Sequence, residues 1–255
     1  MIVRRTPKQN QLLAALPAAT YALLEPRLEL ATLPRGWAIC EPGTTLDYAY
    51  FPTSSIVSVL TLLPDGVAPE VAVIGFDGVV GISTVLGAGT MSNSRSVVQS
   101  AGHGFRIAMG ALQETMERDA ACRNLIVRYA LSLFAQTAQT VACNRYHRVD
   151  QQVCRLLLMC LDRWASNRLS LTHERMANLL GVRREGVTEA SRNLAAAGLI
   201  SYVRGCVTIL DRPGLEARVC DCYRAVRTEA ERLLPAMVPQ GDPARGVRSA
   251  LLHAR

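Results

Sequence analysis

The chain has 255 residues, room for one large domain or two of ordinary size. Hydrophobic residues make up 49% and charged residues 19%, which excludes a chain dominated by disorder. The net charge is +7, and no apolar run approaches the roughly 18 uncharged residues of a membrane-spanning helix.

The basic start, Met1 to Arg5, leads into no apolar segment closed by small residues, so a secretory leader is not expected. Eight cysteines are too few for a disulfide scaffold and point to a cytoplasmic chain with reduced thiols. The charge is unevenly placed. Residues 1–110 balance seven basic against seven acidic side chains, whereas residues 145–204 carry ten arginines against five acids. An anion-binding module concentrates charge in this way.

Taken in chain order, residues 9–24 read as a short helical lead-in broken or started at Pro17. From residue 30 to 108 the pattern changes, with ten of the 18 glycines between Gly36 and Gly104. Trp37–Cys40, Ile56–Leu63, Val71–Ile74, Ser96–Gln99 and Phe105–Ala108 are short β-prone runs between them, the pattern of a β-barrel or roll. From about Gly110 to Asn144 the spacing predicts a single long helix. One stripe is Val127, Leu131, Phe134, Ala138 and Val141; a second is Cys122, Ile126, Tyr129, Leu133, Gln136, Thr140 and Cys143. Two usable faces allow one to pack on the chain's own domain and one on a partner helix.

Residues 150–168 read as a further amphipathic helix, Leu169–Leu171 as a short strand, and 211–234 as another helical stretch. The tail 235–255 is rich in Pro, Gly and Arg and reads as frayed. The domains expected are 1–110, a roll with its lead-in; 111–145, a dimerisation helix; 146–218, a DNA-binding domain; and 219–255, a helix and tail.

Residues 171–200, LTHERMANLLGVRREGVTEASRNLAAAGLI, carry the functional signal. Thr172 suits a helix N-cap and Glu174 the positive end of its dipole. Met176, Ala177, Leu179 and Leu180 give an apolar face, Gly181-Val182 a turn, and Val187, Ala190, Ser191 and Leu194 the inner side of a second helix closed by Gly198. Ser201–Val203 and Cys206–Leu210 flank Arg204-Gly205 as a hairpin. Helix-turn-helix plus hairpin is a winged helix. Its outward side shows Arg184, Glu185, Thr188, Glu189 and Arg192. Arginine suits guanine, glutamate the cytosine amino group and threonine either. Thr172, Arg183 and Arg204 read as phosphate contacts.

This order of β-roll, long helix and winged helix resembles the Crp/Fnr family of bacterial transcription regulators, over about residues 25–215. The closest match is Leu171–Ile200; Gly75–Gly81 (GFDGVVG) and Asn93–Gln99 (NSRSVVQ) also fit the family's sensor domain. The resemblance implies an α+β chain: an N-terminal β-roll of the cupin-like double-stranded jelly-roll kind, a long dimerisation helix and a C-terminal winged helix-turn-helix. It further implies a homodimer on a palindromic double-stranded operator, a small-molecule effector sensed by the roll, and RNA polymerase as a further partner, with no membrane.

In cyclic-nucleotide-binding members a Gly-Glu pair holds the ribose and an Arg-Ser or Arg-Ala pair the phosphate. Arg95-Ser96 matches the phosphate pair, but Val79, Val80, Ile82 and Ser83 around Gly81 supply no ribose ligand. The lost hydrogen bond is worth roughly 1.5–3 kcal/mol, about ten- to a hundredfold in affinity, which disfavours cyclic AMP. An effector site would use Arg95 and Ser96, with Gln136, Thr137 and Thr140 reaching it from the long helix. No cofactor is identified.

Only Cys40 precedes Cys122, so an N-terminal iron–sulfur cluster is not expected. Cys220-x-Cys222 is shorter than zinc-knuckle spacing and is expected to have no nearby histidine partner, so no metal site is expected and the cysteines read as packing residues. Cys206, beside the wing turn, is the one thiol whose oxidation would disturb DNA binding. His103 and His147 read as structural. No constellation of titratable groups marks an enzyme. The competing class is a cyclic-nucleotide-type sensory module that acts through protein contacts without binding DNA. Such a module would carry an acidic or apolar outer helix face, not Arg184 and Arg192.

Overall fold

The computed structural model describes residues 5–88 and 93–237. Two short helices, α1 (Gln11–Ala14) and α2 (Ala18–Leu24), form the lead-in, with Pro17 as the α2 N-cap. Asn10 fixes the lead-in to the roll. Fully buried, it accepts from the Leu13 amide and donates to the carbonyls of Pro52, 2.9 Å away, and Gly78, 2.8 Å away.

The roll is two antiparallel sheets. One has the order β1 (Glu29–Leu33), β7 (Gly102–Ala108), β3 (Tyr48–Pro52). The other has the order β2 (Ala38–Cys40), β6 (Ser94–Ser100), β4 (Ile56–Thr61), β5 (Glu70–Ile74). Leu33, Phe51 and Ile107 from the first sheet and Ile39, Val57, Ile74 and Val98 from the second share one core. A short helix, α3 (Ile82–Val85), follows β5.

Every expected β-run holds a strand, but β1 and β3 have no counterpart in the sequence reading. β1 buries little of its surface and so shows weak alternation. β3 ends in Pro52, which argues against a central strand; it is an edge strand, where a missing amide costs nothing.

The single helix expected over 111–145 is two. α4 (Met109–Arg118) stops at Asp119, and α5 (Ala120–Tyr146) starts there. Asp119 leaves the helical conformation and accepts from the Cys122 amide, an N-cap inside an otherwise unbroken helical pattern. Thr20 donates to the same carboxylate.

α5 has two distinct faces. Cys122, Ile126, Tyr129, Gln136, Thr140 and Cys143 are buried, and the Tyr129 hydroxyl donates to the Val79 carbonyl. Gly78 makes that approach possible, because a Cβ there would lie 2.2 Å from the Tyr129 oxygen. The other stripe is bare: Val127, Leu131, Phe134 and Val141 are 41%, 50%, 72% and 63% exposed.

The C-terminal half comprises α6 (Val149–Leu161), β8 (Arg168–Ser170), α7 (His173–Leu180), α8 (Arg184–Ala196), β9 (Ile200–Val203) and β10 (Cys206–Ile209), with the sheet order β8-β10-β9. The helix expected over 211–234 is also two, α9 (Arg212–Arg218) and α10 (Asp221–Leu233), with extended backbone at Val219 and Cys220 between them. α10 packs along α5. Of the tail expected to fray, 238–255 lie outside the described residues, as do Met1–Arg4 of the basic start.

Candidate nucleic-acid interface

Thr172 is the N-cap of α7, and its hydroxyl accepts from the Arg175 amide at 3.1 Å. Gly181 ends α7 with φ +66°, where a side chain would be strained, and the chain turns into α8. Met176, Ala177, Leu179, Leu180, Val187, Ala190 and Leu194 are buried together, so the two helices are locked at their crossing. β9 and β10 pair in register from Ile200–Ile209 to Val203–Cys206. Arg204 and Gly205 both take positive φ, 48° and 76°, the conformation of a two-residue hairpin turn.

This scaffold presents one charged surface. Arg183, Arg184, Glu185, Glu189, Arg192 and Arg204 are all exposed, and none is engaged in an ion pair within the described residues. Thr188 is half-buried instead. Its hydroxyl lies 3.0 Å from the Arg184 carbonyl and 3.1 Å from His173 Nδ1.

His173 stacks on Tyr202 with ring centroids 4.1 Å apart, and the Tyr202 oxygen accepts from the His173 amide. Burial, with the nearby Arg184 charge, lowers the His173 pKa below the ordinary imidazole value. Sequence reasoning singled out neither ring. They tie the start of α7 to the wing and to α8, and only their pairing in three dimensions reveals this.

The five residues expected at an effector site are not gathered. The Arg95 guanidinium is paired with Glu41 at 2.8 Å, and Ser96 is buried within β6. Gln136 instead bonds the Val73 backbone from both ends of its amide. Thr137 donates to the Leu133 carbonyl and Thr140 to that of Gln136. Gln136 and Thr140 line a cavity of about 20 Å³ with Glu70 and Arg155, roughly the space of one water. Gln136 also borders a cleft of about 1080 Å³ between the roll, α5 and α10, whose polar walls include Asp77, Arg163, Arg212 and Arg227. Arg95 and Ser96 line neither.

Cysteine placement corrects a second expectation. His147 lies beside the Cys220-x-Cys222 pair, with its Nδ1 3.4 Å from Cys222 Sγ, although 73 residues separate it from Cys220 in sequence. Cys143 Sγ is 3.6 Å from Cys220 Sγ. Cys206 is half-buried at the wing, as a β10 residue.

Residues 151–218 match the Crp-like helix-turn-helix domain family. A comparison with curated protein sequences found no match. Among solved structures, the chain is similar to a putative Crp/Fnr-family transcriptional regulator from Eubacterium rectale. The TM-score is 0.64 at 21% identity, covering 85% of this chain and 99% of that one. It is similar to FixK2 from Bradyrhizobium japonicum, with a TM-score of 0.62 at 14% identity, covering 76% and 98%. It is also similar to the c-di-GMP-responsive regulator CLP from Xanthomonas campestris, with a TM-score of 0.61 at 17% identity, covering 76% and 100%. Residues 151–218 thus carry a Crp-like helix-turn-helix domain, in a chain that shares the fold of these proteins.

Proposed function

We propose that the chain works as a cytoplasmic homodimer that reads a palindromic DNA operator through α8 and responds to a small molecule sensed by its N-terminal half. The observation that carries the reading is the outer surface of α8 and the wing. Six exposed charged side chains stand there without internal ion pairs, on a helix held rigidly by its inner face. Charges left unpaired on a locked scaffold are available to phosphates and base edges at no cost in broken contacts. Arg184 and Glu185 occupy the first turn of α8, the end that enters a major groove. Thr172, Arg183 and Arg204 flank it as phosphate contacts. Thr188 is placed less to touch a base than to hold His173 against α8.

Dimerisation through α5 rests on its bare stripe. Four large apolar side chains on one face of a 27-residue helix make a seam for a second copy. For the effector, Arg95 is a poor phosphate ligand while it is paired with Glu41, and tight cyclic AMP binding is not expected. Calorimetry with cyclic AMP should give no sub-micromolar constant.

Fluorescence anisotropy with a random-sequence duplex at several salt concentrations tests the DNA reading. Affinity should fall steeply as salt rises, and Arg204→Ala should make the log–log slope shallower by about one. Binding that is absent, or insensitive to salt, would remove the proposal.

A further inference from the structure

Near the junction between the N-terminal half and the DNA-binding domain, four potential metal ligands converge from two distant parts of the chain. Cys143 lies in the last turn of α5, and His147, its C-cap, has extended backbone and donates its amide to the Cys143 carbonyl at 3.0 Å. Cys220 and Cys222 stand at the start of α10, Cys220 as its N-cap. The sulfurs of Cys143, Cys220 and Cys222 and a ring nitrogen of His147 all lie within 4.8 Å of one another. All three cysteines are at least 95% buried and none is in a disulfide.

Two of the separations match those of a coordination shell, and all fall within 4.8 Å. Zinc–sulfur bonds near 2.3 Å and zinc–nitrogen bonds near 2.0–2.1 Å, set tetrahedrally, put sulfurs about 3.8 Å apart and sulfur and nitrogen about 3.6 Å apart. The observed distances are 3.6 Å for Cys143–Cys220 and 3.4 Å for Cys222–His147. A supporting group is also in place. Gln139, one turn before Cys143 on the same face, donates its side-chain amide to Cys222 Sγ at 3.0 Å. An N–H donor of this kind orients a thiolate and spreads its charge. Packing alone does not demand a histidine nitrogen and three buried thiols all within 4.8 Å of one another.

We propose that Cys143, His147, Cys220 and Cys222 bind one zinc ion in a closed Cys3His site that clamps α10 to the end of α5. Binding releases the three thiol protons to solvent and takes the imidazole neutral, with Nδ1 as its ligand atom; no electron is transferred. The clamp lies where α5 hands over to α6, so it fixes the seat of the DNA-binding half against the long helix. This inference is independent of which DNA sequence is read.

The test uses the full-length protein, tag removed, reduced and desalted. Elemental analysis after exposure to equimolar zinc should find one zinc per chain. Cobalt(II) in place of zinc should give the intense thiolate-to-cobalt absorption of a tetrahedral thiolate site. Cys222→Ser should lose that absorption and weaken zinc binding by at least about 100-fold in competition with a chromophoric chelator, and Gln139→Leu, which touches no ligand position, by about tenfold. If a variant fails to fold, the wild-type cobalt spectrum decides alone. Absence of bound zinc in the reduced protein, a cobalt spectrum without thiolate bands, or unchanged zinc affinity in a folded Cys222→Ser variant would overturn the site. So would a Cys143–Cys220 disulfide that persists in the reduced preparation.

Discussion

Glu70 is a residue whose charge the fold resists. It is buried, one of its oxygens has no hydrogen-bond partner, and burial raises its pKa to about 7 against the pull of Ser58, Arg155 and Arg175. Because the folded value lies above the unfolded one, the folded state binds the extra proton between about pH 4.5 and 7. Stability should therefore fall as pH rises through that window and level off above it. Glu70→Gln cannot ionise, so its melting temperature should exceed that of the wild type at pH 8 and match it near pH 4.5. Thermal melts at both values check this; an equal difference at both would mean that packing, not charge, sets the effect.

On the DNA face, Arg184→Ala should cost about 1–3 kcal/mol on the best operator and relax one base pair per half-site, while Arg204→Ala should weaken all DNA alike. Titrating both variants against the selected site and a scrambled one separates the two roles.

α5 shows how far a one-dimensional pattern can carry. Its two stripes are plain in the sequence, and the structure buries one and bares the other. If α5 forms the proposed dimer seam, Phe134→Glu on the bare face should give a monomer in light scattering at micromolar concentration where the wild type is dimeric, with the thermal transition retained. Leu133→Glu, whose side chain packs against the roll core, should destabilise the fold instead. A wild-type monomer at that concentration would remove the seam.

The same helix shows what a pattern hides. Asp119 breaks it from α4, yet an acidic residue between two helical stretches is also a common solvated position, and only the bond it accepts from Cys122 marks it as a cap. The winged helix was legible because Thr172, Gly181, Gly198 and the Arg204-Gly205 turn are each fixed by local backbone chemistry. β1 and β3 were not, since they are edge strands held by pairing to β7, which lies more than 50 residues along the chain. The Cys143–His147–Cys220–Cys222 cluster was not legible for the same reason: each half looks ordinary until α10 lies along α5.

For the whole molecule, the two halves are joined by more than a linker. α7 lies against β5, so close that a Cβ added at Gly181 would meet Pro69 at 3.7 Å. Arg35 of the roll donates to the Ser170 hydroxyl at 2.6 Å, and Ile56 and Val73 of the roll belong to the same core as α6, α7 and α8. A change in the N-terminal half is thus in mechanical contact with the helix-turn-helix half, as the proposed coupling of sensing to DNA binding requires. The central claim is that two copies of α8 read a two-fold symmetric operator. Selection of bound sequences from a random DNA pool tests it most directly. The account predicts an inverted repeat whose half-sites are about 34–36 Å apart along the duplex, one helical turn, with Arg184→Ala relaxing one position in each half. Enrichment of no motif, of a single unrepeated half-site, or of a motif that Arg184→Ala leaves unchanged would contradict it.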